Sequence, residues 1–189
     1  MKKILIPVIG LALTLVSGCV VMSIYPYYTA KNLTTDPSLL GIWVDPAKSN
    51  ANEESWTFEQ VDKQTYKLIV PGKSETNEFD AHLFKLKEQA FLDLLPRARP
   101  ECSAPAHFLL RVDSLQARLE MRALDYDWLG KLVETNSAAI RHTIIPNPAG
   151  DSDGGSLLLT ADTAELQTFV LKHLETKAAW GDPMVMKHR

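Results

Sequence analysis

The sequence predicts a mainly β fold, an antiparallel barrel of about eight strands carrying one short helix and one C-terminal amphipathic helix. Three observations carry that expectation. From Gly41 onward the 189-residue chain breaks into short apolar or alternating runs separated by turn residues, the pattern of an all-β barrel or sandwich. Leu115, Ala117, Leu119, Met121 and Ala123 interleave strictly with Gln116, Arg118, Glu120 and Arg122, which gives one buried and one wet face. Only after Asp162 does a sustained helical period occur, with Leu166, Phe169, Val170 and Leu174 on one face.

The chain opens with Lys2 and Lys3, runs apolar from Ile4 to Val16 and closes in Ser17, Gly18 and Cys19. That is the build of an export signal, because the apolar run is too short for the roughly 20 residues of a membrane-spanning helix. Residues 1–18 are read as the signal, 19–40 as a modified N terminus and tether, and 41–189 as the barrel domain. The tether has no sustained period, and at about 3.5 Å per residue it would hold the domain up to roughly 70 Å from its attachment. Tyr25, Tyr27 and Tyr28 fit either a membrane interface or a docking groove on the domain.

Strands are expected at Ile42–Asp45, at Ser55–Gln60, at Tyr66–Val70 before Pro71-Gly72, at Glu78–Lys87, Ala90–Leu95 and His107–Val112, and across Leu115–Ala123. Ile140–Ile145 and Ser156–Leu159 are further candidates. Tight links argue for antiparallel pairing, with hairpin reversals at Glu88-Gln89 and Asp113-Ser114. Asp127 is read as the cap of a short helix carrying Trp128, Leu129, Leu132 and Val133. Asp162 with Glu165 forms a capping-box pattern that opens the longer one. Met184–Lys187 supplies a last strand.

Leu15-Val16-Ser17-Gly18-Cys19 resembles the bacterial lipobox, in which the cysteine thiol receives diacylglycerol and the chain is cut before it. The resemblance implies a palmitate-bearing lipid anchor at Cys19 in a bacterial cell envelope. Val20 in place of Asp after the cysteine implies the periplasmic face of the outer membrane in a Gram-negative host. Leu40-Gly41-Ile42-Trp43 resembles the Gly-x-Trp signature of lipocalins, where the tryptophan closes the barrel base; the role implied for Trp43 is that closure, and the fold implied is lipocalin-like, of the calycin type. Asp125-Tyr126 echoes that family's second motif, although Leu124 replaces its threonine. The chain is more closely similar to uncharacterised bacterial lipoproteins. They share the patterns of Pro37–Trp43, Glu54–Glu59, His82–Leu86, Phe91–Leu94, Pro105–His107, Leu158–Ala161 and Glu165–Gln167, a resemblance that implies architecture and no activity.

Chemistry is sparse in the sequence. The formal charge is −3 and grows more negative when Lys2 and Lys3 leave with the signal, so nucleic acid is not an expected partner. No nucleophile elbow, zinc helix or phosphate loop occurs, and no cofactor or metal is implied. The Asp151-Ser152-Asp153-Gly154 fragment of a calcium loop fails the full pattern, since position twelve, which requires a glutamate, is Asp162, and position five, which requires an acidic or amide ligand, is Gly155. His82, His107, His142, His173 and His188, with Asp93, Asp125 and Glu134, lie on separate elements and would form a site only by meeting in space. Cys102 has no intrachain partner once Cys19 is lipidated, leaving a free thiol, an intermolecular disulfide or a redox-sensitive site. The Pro96–Pro105 loop is long and serves either as a gate or as a surface excursion. Trp56, Phe58, Tyr66, Phe91 and Phe108 are the candidate ligand-binding residues; with Trp43 and Trp128 they either line a cavity or fill a core, because eight strands suit both. Three classes follow: a barrel that binds a small hydrophobic ligand, an envelope structural or protein-interaction lipoprotein, and a hydrolase whose site is assembled from distant residues.

Overall fold

A computed structural model of the chain describes residues 21–47, 55–72, 76–98, 105–145 and 156–189. The expected signal peptide, Cys19, most of the Pro96–Pro105 loop including Cys102, and the Asp151–Gly155 turn lie outside the described residues.

The described residues open with β1 (Val21–Ser23) and a short 3-10 turn at Pro37–Leu39, then enter β2 (Gly41–Val44), β3 (Ser55–Gln60), β4 (Tyr66–Pro71), β5 (Thr76–Leu86), β6 (Gln89–Pro96), β7 (Phe108–Leu115) and β8 (Arg118–Ala123). An excursion follows through α1 (Tyr126–Thr135), β9 (His142–Ile145), β10 (Ser156–Leu159) and α2 (Thr163–Lys172), before β11 (Met184–His188). The strands β2 to β8 form an antiparallel meander, and β11 lies between β8 and β2 to close an eight-stranded barrel. The expected mainly β barrel with a short helix and a C-terminal helix is therefore present. Its eighth stave comes from the chain terminus rather than from the run of consecutive strands.

The candidates around Ile140–Ile145 and Ser156–Leu159 are strands, but they stand outside the barrel in a separate three-stranded sheet ordered β1-β10-β9. Period alone does not say which sheet a strand joins. Val21 pairs with Leu157 in parallel, and Leu157 pairs with Ile144 in antiparallel fashion.

Two apolar cores result. Inside the barrel, Trp43, Trp56, Phe58, Tyr66, Leu68 and Met121 pack with other inward residues of the eight strands. Outside it, a second core joins Phe84, Phe91 and Leu109 on the outer wall to Leu129, Leu157, Leu166 and Trp180 of the excursion. The strand alternation assigns each residue to its side: along β6, Leu92 and Leu94 point in, whereas Phe91 and Asp93 point out.

Several local expectations change. β7 runs through to Leu115 and reverses at Gln116-Ala117, not at Asp113-Ser114. Asp113 instead sits in a bulge between Val112 and Ser114, held 2.7 Å from both Arg111 Nε and Arg122 Nε. The alternating pattern ran on across the turn and so concealed it. The β5–β6 reversal is at Lys87-Glu88, with Lys87 in a left-handed conformation at φ 55°. The cap of α1 is Asp125, whose Oδ1 accepts the Trp128 N–H at 2.7 Å, and Asp127 lies in the first turn. Asp162 caps α2 as expected, accepting the Glu165 N–H at 3.0 Å.

Residues 21–40, read in the sequence as a tether, are instead a strap packed on the barrel. Thr34 N–H donates to Leu83 O at 2.9 Å and Lys85 N–H to Asn32 O at 3.0 Å. The Tyr66 hydroxyl donates to Asp36 O and accepts from Asp36 N–H, and Leu39 is completely buried in the barrel core. The strap thus ends as a stopper on the barrel end that carries the β3–β4, β5–β6 and β7–β8 turns. Its long-range bonds leave no local periodicity, which is why the segment resembled a linker.

Gly41-x-Trp43 has a physical role at the barrel seam. Gly41 takes φ +111°, and a Cβ there would meet His188 Cε1 at 2.9 Å. The Trp43 ring is fully buried, packs with its centroid 3.9 Å from that of His188 at a tilt of 40° and donates Nε1–H to Leu39 O at 2.8 Å. Gly41→Ala is expected to cost about 1–3 kcal/mol through backbone strain and the displaced His188; chemical denaturation of the variant beside wild type checks this.

Candidate functional site

The barrel interior was the expected ligand site. Trp56, Phe58 and Tyr66 are buried there, with Phe108 half-buried at its margin. Trp56 packs 6.4 Å from Phe58, and Phe108 meets Phe79 edge-on at 6.4 Å. Phe91 belongs elsewhere: it lies on the outer wall between Phe84, at 5.4 Å, and Trp180, at 6.1 Å. Trp128 also lies in the outer core, 6.2 Å from Phe169. The candidate residues therefore divide between two cores. Two hollows, of about 390 and 550 Å³, open to the surface: one lies beside Ile140, Arg141, Glu165 and Phe169, the other at the strap end of the barrel, between Thr34–Asp36 and the β5–β6 and β7–β8 turns, where it touches the barrel-core residues Leu83, Val112 and Leu115.

Polar chemistry gathers on the outer wall beneath the strap. Asp93 is completely buried and His107 nearly so. His107 Nδ1 shares a hydrogen bond with Asp93 Oδ1 at 2.7 Å, and the Tyr27 N–H donates to Asp93 Oδ2 at 2.9 Å. Both carboxyl oxygens are thereby engaged, as burial of such a group demands. The backbones join as well, because Ser23 and His107 exchange N–H···O bonds of 2.9 and 2.8 Å. From α2, Gln167 Nε2 donates to Tyr27 O at 2.9 Å and Thr163 Oγ1 to Pro26 O at 2.8 Å.

His82 is the cross-strand neighbour of Asp93 and stacks on Tyr28 with ring centroids 4.5 Å apart. Its Nδ1 is buried without a partner among the described residues, and Nε2 reaches only Thr65 Oγ1, at 3.4 Å. Desolvation lowers the His82 pKa, against the raising influence of Asp93, Asp80 and Asp62. Burial chiefly, with Asp93 and Asp80, pushes the Tyr28 hydroxyl up to about 12. Burial and then Asp93 raise Tyr27 further still, and its hydroxyl also lacks a partner among the described residues.

Of the scattered histidines, structure brings only His82 and His107 to Asp93. His142 Nδ1 lies 2.9 Å from Ile140 O, His173 packs against Trp128 and Phe169, His188 covers Trp43, Asp125 caps α1, and Glu134 is exposed. Ser, His and Asp all occur under the strap, yet Ser23 Oγ is committed to Tyr25, donating to its carbonyl at 2.8 Å and accepting its N–H at 3.2 Å. The arrangement serves as a clamp: a buried carboxyl fastens an N-terminal segment across the barrel wall. Sequence reasoning named Asp93 and His107 without pairing them; the signal it passed over was a lone Asp within Phe91-Leu92-Asp93-Leu94, a run buried on both faces. No protein-family model, curated protein or solved structure matches the chain.

Two substitutions separate the clamp from its surroundings. Asp93→Ala strands the Tyr27 N–H and the His107 ring, with an expected loss of about 3 kcal/mol or more, whereas Tyr27→Phe removes an unpartnered hydroxyl and should be neutral or stabilising by about 1 kcal/mol. Urea denaturation reads both, and a large loss from Tyr27→Phe would contradict the unpartnered hydroxyl.

Acid sensitivity follows from the histidines. His82 and His173 are both held below the ordinary value of 6.5 by desolvation, with Lys172 adding to the effect at His173. The unfolded chain therefore takes up protons first, and stability present above that range declines as pH falls through it. Thermal midpoints measured from pH 7.5 to about 5.5 should fall for wild type and fall less for His82→Phe, which keeps a ring against Tyr28.

Proposed function

We propose that this protein is a lipid-anchored envelope lipoprotein whose barrel is a non-catalytic structural or interaction module carried close against the membrane. The strap is the observation that supports this reading most directly. With residues 21–40 fastened to the barrel, only Cys19 and Val20 separate a lipid on Cys19 from β1, a span of at most about 7 Å. The roughly 70 Å reach expected of a free tether is lost, so anchor and barrel behave as one body. The buried, mutually packed aromatic rings of the interior favour a structural barrel, since filled interiors are one of the two states open to eight strands.

A small hydrophobic ligand in the envelope is the second reading, and the closed eight-stranded topology favours it. Trp56, Phe58, Tyr66 and Phe108 would then have to yield space, with Phe91 taking no part. The hydrolase reading draws least support, because the Asp93–His107 pair is buried and its neighbouring hydroxyl committed. Cys19→Ala should move the protein from the membrane to the soluble fraction; continued membrane partitioning in the processed form would sink the anchor. Native mass spectrometry of residues 20–189 should show bare protein, and a co-purifying apolar compound would favour the second reading instead.

A further inference from the structure

The small sheet outside the barrel carries an unusual composition for a surface element. β1, β9 and β10 contain no Lys, Arg, Asp or Glu, in a chain that is 23% charged. Its outward side chains include Met22 and Leu158, both only half-buried. Edge strands in water are ordinarily guarded by charge or proline. β9 has neither, and it ends in Ile144 at 56% and Ile145 at 41% exposure, the only adjacent pair among the exposed large apolar residues described.

Register places that pair beside the anchor. Val21, Leu157 and Ile144 lie side by side across the three strands, so Ile144 stands two inter-strand steps, about 10 Å, from Val21. Val21 in turn is two residues from Cys19. Ser156 and Ile145 close the same end of the sheet, whereas β10 runs away from it toward α2.

We propose that Ile145, with Met22 and Leu158 on its face of the sheet and the exposed Ile144 beside it on the strand edge, rests in the headgroup–acyl boundary of the membrane that holds the Cys19 lipid. The contact is a second, non-covalent attachment, which fixes how the barrel is turned relative to the bilayer. It rests on the reading of Cys19 as lipidated. The absence of charge directs the sheet toward the apolar part of the interface rather than toward anionic headgroups, and shallow insertion of a few apolar side chains suits such a depth.

The test uses the full processed lipoprotein in phosphatidylcholine vesicles, with Cys102→Ser leaving one engineered thiol for a fluorophore. Ile145→Cys places it at the anchor end, and Ala164→Cys on exposed α2 places it at the far end of the sheet. A lipid carrying an acyl-chain quencher should quench the label at 145 about threefold more than that at 164. Equal quenching at the two positions, with the protein still floating with vesicles, overturns the membrane contact while the anchor stands. A label at 145 shielded from lipid but crosslinking to a second copy assigns the edge to self-pairing and overturns it too. If Cys19→Ala floats as well as wild type, the anchor reading itself fails, and this inference with it.

Discussion

The constraint on which the molecule depends is that strands β5 to β7 must bury both faces. Along β6, Phe91, Leu92, Asp93 and Leu94 are all removed from water, so the barrel wall cannot end at its own outer surface. Strap, helices and small sheet exist to cover it. A half-wet barrel would be complete at β11; this one needs residues 21–40 and the excursion from Tyr126 to Trp180 as a second layer. That layer explains two cores, and it places a buried carboxyl where His107 and the strap together satisfy it.

Asp93 shows how a polar group becomes specific by being buried. An apolar residue at that position would suit the outer core but would leave the strap freer to slide, because apolar contacts tolerate sliding whereas the directed bond from Tyr27 N–H to a carboxyl itself fixed by His107 does not. The strap then transmits position in both directions. At one end it joins the small sheet through β1; at the other it plants Leu39 in the barrel core and meets Trp43, Gly41 and His188 at the seam. One segment therefore ties the small sheet to the barrel wall and plugs one barrel end.

Legibility from sequence was uneven for physical reasons. Strands β3, β4 and β8 were readable because period-2 alternation reflects one face in a core, β5 to β7 because short apolar runs stand between turn residues, and α2 because its cap and apolar stripe are local. The β7–β8 turn was displaced since Asp113 occupies a bulge that breaks the phase without breaking the pattern. Phe91 looked like a barrel-lining residue because a strand buried on both sides shows apolar residues at consecutive positions, and composition does not distinguish inside from outside. The pairing of Asp93, His107 and Tyr27 spans widely separated positions, and no local rule reaches across them.

The sequence by itself determined the fold class, the helix cap at Asp162 and, to within two residues, the start of α1, since strand alternation and capping rest on neighbours in the chain. Tertiary structure alone decided that the N-terminal segment is a strap, that two strand candidates form their own uncharged sheet, and that the aromatic residues serve two cores. Those outcomes depend on which surfaces remain unburied after the barrel closes, a quantity that exists only once distant segments have met.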